Sequence, residues 1–522
     1  MSLRKPLAWL IIIGILTRCI IASSIEFGND EVYYWTYSQH LQWNYFDHPP
    51  MVALLIRSTT FNLSFQRFEL FVRLGSIICS AFATYFLFKA VSNMSTERAG
   101  LFSALLYNAS FYGSIITGVF ILPDSPQMLF WTASLLIISK LLASQKPVTV
   151  HWVLFGIMTG LTIMSKIHGV FLWTGLLLYV ILYRRKWLGL WQLYFSAAIC
   201  FIIVSPFLLW NLQNNFITYR YHSSRLEGIA FKADNFFREI FGEIFYNNPF
   251  NVVLTFIALS WFLKNVKTIK DDFLRICLLI AIPMILLLLA LSMFNDTLPH
   301  WTGPAYITLL PLAAVYLSRR AKMNINIPRI IRLSLAFTCF VIISGVSAIN
   351  FYPGTLGKQK TISKFGEGDV TLDMYGWDAT AKKIDSVIIA DEKKGVMPFD
   401  AQFVSNKWYP AAHIDYYIAR PLHKVVIGIG EMNDLHHYEW LNESRLKDHA
   451  LQDAYCVFPS DYSCNVKEVY REKFGTIDSV AAFPIYRGNK VCKYVFLYRL
   501  RNLKAKSPGL NKSGTNLFIH NS

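Results

Sequence analysis

The chain has 522 residues, 54% of them hydrophobic and 16% aromatic, and a mean hydropathy of +0.36, which is too apolar for a soluble chain of this length. The net charge of +17 would suggest nucleic acid in a soluble protein, but in a membrane protein Lys and Arg collect in cytoplasmic loops. No Walker loop, GxGxxG, HExxH or paired CxxC is present, so nucleotide-driven and zinc-protease chemistry have no support.

A spanning helix needs about 20 mostly apolar residues. The first such run, Leu7 to Ile25, follows Arg4 and Lys5; Arg18 interrupts it and no clean cleavage site follows, so it reads as a retained helix. Further runs lie near 70–90, 99–117, 126–143, 150–164, 168–183, 190–210, 251–263, 273–294, 303–318 and 330–350. The fold class expected is therefore a polytopic all-α membrane protein of eleven spans, with a soluble C-terminal α/β domain. With Arg4 and Lys5 inside, the same side receives Arg98, Lys140, Lys146, Arg184, Arg185, Lys186, Lys264, Lys267, Lys270, Arg319, Arg320 and Lys322. The positive-inside rule then puts the loops 26–69, 211–250 and 295–302, and the turns at Asp124 and Lys166, outside. Spans five and six are short and separated only by SKIHG.

The odd span count sends residues 351–522 to the extracytoplasmic side. The expected domains are thus 1–350, in the membrane, and 351–522, whose short apolar runs KVVIGIG, YCVFP and KYVFLYRL read as strands. The last stretch, LKAKSPGLNKSGTNLFIHNS, reads as a frayed tail. Of eight cysteines, Cys19, Cys79, Cys200, Cys277 and Cys339 sit in apolar runs as small core residues. A Cys456 to Cys464 disulfide and free thiols both fit their spacing.

Potentially reactive side chains gather in the outer loops. The first loop carries Asp30, Glu31 and Tyr33, then Asp47 and His48 before a Pro pair, and its Tyr and Trp residues suit an interfacial helix. Asp124 lies between prolines at the second turn, where an acid near the bilayer core costs about 2.5–3.5 kcal/mol and needs a role or a partner. Lys166 interrupts span material; His222, Arg225 and His300 follow in later loops. Read singly, Asp124 can cap a helix, Lys166 can snorkel, and a lone His is more often structural. Together, acids and cations from four loops on one side would form a site for an anionic, lipid-borne substrate.

Through DEVYYW, YFDHPP, LPDSP, SK, WNLQ and LPHW, in this order over residues 26–310, the chain resembles bacterial members of the C-type glycosyltransferase superfamily. The branch is that of protein mannosyltransferases and lipid A aminoarabinose transferases. The resemblance implies an enzyme of the inner membrane that moves a sugar from a polyprenyl-phosphate donor to a lipid, polysaccharide or protein acceptor on the outer face, with inversion. It implies Asp30 as the acid/base group, Glu31 and Asp124 as orienting acids, Tyr33 and Asp47 in support, and His48, Lys166, His222, Arg225 and His300 as candidates for the donor phosphate. Aminoarabinose transferases carry Lys where this chain has His48. Asp47 and a bound phosphate are expected to raise the His48 pKa, with activity falling as pH rises through it. No cofactor is called for, and a divalent metal at Asp30 and Asp124 is left open. A transporter or flippase of lipid-linked sugars is the competing reading; its ionisable groups would lie at mid-membrane in repeated halves, and no internal repeat is visible here.

Overall fold

The computed structural model describes residues 3–144, 146–224, 230–265, 271–320, 326–449, 451–462 and 464–504. The predicted tail beyond residue 504 and Arg225 lie outside these residues. Two compact units emerge, one of residues 1–23 and 41–343, the other of residues 24–40 and 344–522. Sequence reading leaves the segment 24–40 with the membrane part; it folds instead with the C-terminal residues.

The first unit is helical throughout. Its helices are α1 (Arg4–Ala22), then, after the second unit's α2 (Asn29–Gln39), α3 (Met51–Thr59), α4 (Glu69–Met94), α5 (Glu97–Asn108), α6 (Asp124–Ala143), α7 (Thr149–Ser165), α8 (Val170–Tyr183) and α9 (Trp191–Gln213). There follow α10 (Ile217–Ser224), α11 (Ala233–Tyr246), α12 (Pro249–Lys264), α13 (Asp272–Ser292), α14 (Gly303–Arg320) and α15 (Arg329–Phe351), which runs across the boundary between the units. A helix stands at every predicted span, and among the described residues six (α1, α4, α6, α9, α13 and α15) are long and apolar enough to cross a membrane. Predicted span 99–117 is broken: α5 stops at Asn108 and a π-turn, Tyr112–Ile116, follows.

Lipid-facing helices cannot rely on hydrophobic burial to associate, so close approach at small residues takes its place. A Cβ on Gly175 of α8 would lie 2.1 Å from Ile280 Cγ1 of α13, and one on Gly156 of α7 would lie 2.4 Å from the Ser196 carbonyl of α9. Large apolar side chains point outward, with Trp9, Ile20, Phe201 and Ile202 all more than 60% exposed. Basic residues close the helix ends: Arg98 donates to the Ser318 carbonyl, and Arg184 pairs with Asp272 at 2.8 Å.

In the second unit a five-stranded sheet has the order β2-β1-β3-β5-β4. Its strands are β1 (Gln402–Ser405), β2 (Val426–Gly428), β3 (Ala454–Pro459), β4 (Phe474–Arg487) and β5 (Lys490–Leu503). β1 pairs in parallel with β2 and β3, while β5 is antiparallel to β3 and β4. Val404, Ile427, Cys456, Phe458 and Leu500 form its core. Cys456 and Cys464 are free thiols. α16 (Trp377–Lys393) begins on the Glu26 carboxylate, which accepts the Trp377 and Asp378 N–H groups at 2.7 and 3.0 Å. A carboxylate is favoured at that helix end by the unsatisfied amides and the dipole. Phe27 N–H donates to the Tyr417 hydroxyl at 2.9 Å, and Asn29 Oδ1 accepts from His413 Nε2 at 2.9 Å. These bonds tie the approach to α2 into the second unit.

Candidate functional site

Proline opens α6: Pro123 precedes Asp124, which is the first helical residue. α7 ends at Ser165, and Lys166 takes an extended conformation before the chain turns into α8. The two breaks bring Asp124 and Lys166 together, with Lys166 Nζ 3.0 Å from Oδ1 and 2.8 Å from Oδ2 of the carboxylate. Both are buried, at 4% and 2% exposure. Tyr112, on the π-turn, donates its hydroxyl to Asp124 Oδ1 at 3.0 Å. An ammonium has three N–H donors, so two on Asp124 leave one for another ligand.

Lys166 lines a cavity of about 340 Å³ whose other walls include Asp47, His48, His168, His222 and Trp301, together with Phe171, Phe207, Leu287, Leu288 and Leu291. The cavity thus joins one cationic, hydrogen-bonding region to an apolar channel. α10 docks on the segment before α3: Asn44 Nδ2 donates to Thr218 Oγ1 at 2.8 Å, and His222 Nε2 donates to the Asp47 carbonyl at 2.9 Å. The His48 and His222 rings are 6.0 Å apart. His300 stands on the short turn Pro299–Thr302; burial pushes it down to about 4 against the pull of Asp124, with Lys166 adding to the fall.

In the chain without a bound phosphate, the His48 pKa is lowered, not raised by Asp47. Burial, then Lys166 and His222, hold the imidazole well below its ordinary range, against a smaller upward pull from Asp124. Asp47, whose Oδ2 is 4.0 Å from His48 Nε2, does not reverse this. Since kcat/KM reports groups of the free enzyme, a neutral His48 contributes no alkaline limb between pH 6 and 9. His48→Gln, which keeps an N–H donor, is expected to give a kcat/KM profile parallel to wild type over that range. A wild-type alkaline limb that disappears in His48→Gln would restore the cationic role.

Asp30, Glu31 and Tyr33 belong to the other unit. Asp30 is exposed in the first turn of α2, whereas Glu31 is buried and its Oε2 accepts the Gly28 N–H at 3.1 Å, a capping contact. Glu31 therefore holds the helix start. Tyr33 is buried, its hydroxyl accepting from the His437 N–H at 3.2 Å and from the Tyr37 hydroxyl at 3.1 Å. Asp373 is pushed up to about 6 by burial and then by Asp461, with Asp30 adding to the rise. It is a carboxyl near Asp30 that sequence reasoning missed.

Sequence reasoning also missed Tyr112, Gln127 and the pair Glu239 and Glu243. Gln127 is fully buried three residues after Asp124, and its amide oxygen and nitrogen meet no partner among the described residues. Glu239 and Glu243 share one face of α11 and are 0% and 2% exposed, reached by the Thr297 hydroxyl at 2.7 Å and the Tyr306 hydroxyl at 3.0 Å. Burial and then Glu239 push Glu243 up to about 8. The signal was present: acids spaced i, i+4 oppose Phe237 and Phe241, which face outward.

A divalent cation at Asp124 does not fit this donor set, because Lys166 and Tyr112 already occupy the carboxylate and a metal would have to displace an ammonium. Among the described residues no group of three or more His, Cys, Asp or Glu side chains is arranged to hold a metal ion.

Residues 47–210 match the family described as dolichyl-phosphate-mannose-protein mannosyltransferase. Lipid A galacturonosyltransferase RgtD of Rhizobium johnstonii is 25% identical over 375 residues, covering 70% of this chain and 74% of RgtD. The crystal structure of ArnT from Cupriavidus metallidurans bound to undecaprenyl phosphate shares the fold with a TM-score of 0.59 at 13% identity, over 95% of this chain and 98% of that one. Its apo state gives 0.58 at 13% identity over the same shares.

Proposed function

We propose that the chain is a membrane glycosyltransferase of the C-type superfamily that transfers a sugar from a polyprenyl-phosphate donor to a glycolipid acceptor on the extracytoplasmic face, with inversion. The observation that carries this reading is the buried Lys166, held by Asp124, on the wall of a cavity that is otherwise largely apolar. A prenyl chain suits the Phe and Leu walls, and its phosphate suits the remaining Lys166 donor and the imidazole N–H groups. The RgtD relative acts on lipid A, which favours a glycolipid over a polysaccharide or protein acceptor. Eleven spans with the basic loops inside would put the site and residues 351–522 outside.

In this mechanism the acceptor hydroxyl oxygen attacks the anomeric carbon as the bond from that carbon to the phosphate oxygen breaks. The bonding pair leaves with the polyprenyl phosphate, whose growing charge is met by Lys166 and by hydrogen bonds from the histidines. A fixed cation acts where charge develops, so it lowers the barrier rather than only tightening binding. The departing phosphate is a stable anion and needs no proton. The acceptor hydroxyl needs a base, the role that the family resemblance assigns to Asp30. Asp124 holds the Lys166 ammonium in place through two hydrogen bonds.

The test uses the full chain in lipid nanodiscs with polyprenyl-phosphate donors carrying galacturonic acid, mannose or aminoarabinose, and lipid A as acceptor. One donor is expected to release polyprenyl phosphate in step with sugar appearing on lipid A. Movement of an intact donor across the bilayer, with no bond broken, would favour the flippase reading instead.

A further inference from the structure

Arg18 is the charge that interrupts the first apolar run. It is 5% exposed, inside a helix long enough to cross the bilayer. A charge at that depth needs donors and acceptors of its own, and Arg18 has them. Its Nε donates to the Ser114 carbonyl at 3.2 Å, and Nη2 donates to Asn108 Oδ1 at 2.9 Å and to the Gly113 carbonyl at 3.5 Å. Gly113 and Ser114 are the second and third residues of the π-turn.

A π-turn displaces carbonyls from the register of the next helical turn, and in a dry interior side chains must then meet them. Ser80 Oγ and Thr117 Oγ1 also reach the Gly113 carbonyl, at 3.3 and 3.4 Å. Two glycines make room for the guanidinium: a Cβ on Gly14 would lie 2.7 Å from Nη1, and one on Gly118 would lie 2.5 Å from Nε. Tyr112, the first residue of the turn, is held from the other side, because Gly303 admits its ring where a Cβ would come within 2.4 Å of it. Its hydroxyl ends on Asp124 Oδ1.

We propose that Arg18 is a positioning residue for sugar transfer: it clamps the π-turn carbonyls so that the Tyr112 hydroxyl holds Asp124, and through it Lys166, in the orientation the leaving phosphate requires. The proposal rests on the reading of Lys166 and Asp124 as the donor-phosphate site. A small displacement of a group that stabilises developing charge shows in kcat more than in KM, and one ångström can cost on the order of 10²-fold.

The experiment is a double-mutant cycle on the full chain in proteoliposomes, with initial rates normalised to folded protein. Arg18→Met and Tyr112→Phe should each lower kcat more than they raise the donor KM, and Arg18→Lys should recover part of the loss. The combined Arg18→Met/Tyr112→Phe protein should be no slower than Tyr112→Phe alone, since both cut the same chain of contacts. Gly14→Ala is the arm that does not depend on losing a charge. It favours the helix while crowding Nη1, so a slower enzyme that is no less stable is expected. Losses that multiply in the double variant, or Gly14→Ala at the wild-type rate, overturn the proposal. Undiminished transfer by Lys166→Met would instead remove the donor-site reading, whatever the cycle gives.

Discussion

Lys166→Met is expected to lower transfer by on the order of 10³-fold, the loss seen when a fixed group aimed at developing charge is removed. The same change leaves the Asp124 carboxylate buried without its cation, a defect that typically costs about 3–5 kcal/mol. Loss of activity could therefore be loss of fold, and a second variant separates them. Lys166→Met/Asp124→Asn removes both charges; Asn still accepts from Tyr112, so thermal stability should return toward wild type. Transfer should not return. Recovery of both stability and rate in the double variant would mean that the pair only holds α6 against the end of α7, and that the donor phosphate is met elsewhere.

Asp30→Asn is expected to lower transfer by about 10² to 10⁴, the usual contribution of one general base, with little change in stability because Asp30 is exposed in the first turn of α2. Its neighbour provides the contrast. Glu31 is buried and accepts the Gly28 N–H, so Glu31→Gln should act on the fold, within the roughly 0.5–2 kcal/mol range of helix-cap losses. Melting curves and initial rates on both variants decide the assignment. If Asp30→Asn transfers within a few-fold of wild type, the base lies elsewhere, and Asp373, raised to about 6 within reach of Asp30's charge, is the next residue to replace.

The helices were legible because an apolar run in lipid has few alternatives: every backbone group must be satisfied within the segment. Asp124 and Lys166 were legible for the same reason, since charges at the ends of such runs need partners, and each is the partner of the other. The direction of the His48 pKa was not. Chain neighbours suggested Asp47, but burial and Lys166, which reaches His48 only through the fold, set the result. Tyr112 looked like one more residue of an uninterrupted span, because nothing in FYGSIITG marks the extra residue of a π-turn. Glu239 and Glu243 followed a helical pattern, yet their inward direction depends on Thr297 and Tyr306 in later segments. The grouping of Ser24–His40 with the C-terminal residues is likewise long-range: it rests on bonds such as that from Phe27 to Tyr417.

That last grouping bears on how the protein is made. The segment that carries Asp30 leaves the ribosome early, directly behind the first membrane helix, while Trp377, His413 and Tyr417, which hold it, are translated only after the last helix of the first unit. Until then α2 lacks these partners, and an isolated helix of 11 residues is marginal in water. Ordering of the segment that carries Asp30 thus waits for the end of translation, so on the proposed reading a chain stopped early would lack its base.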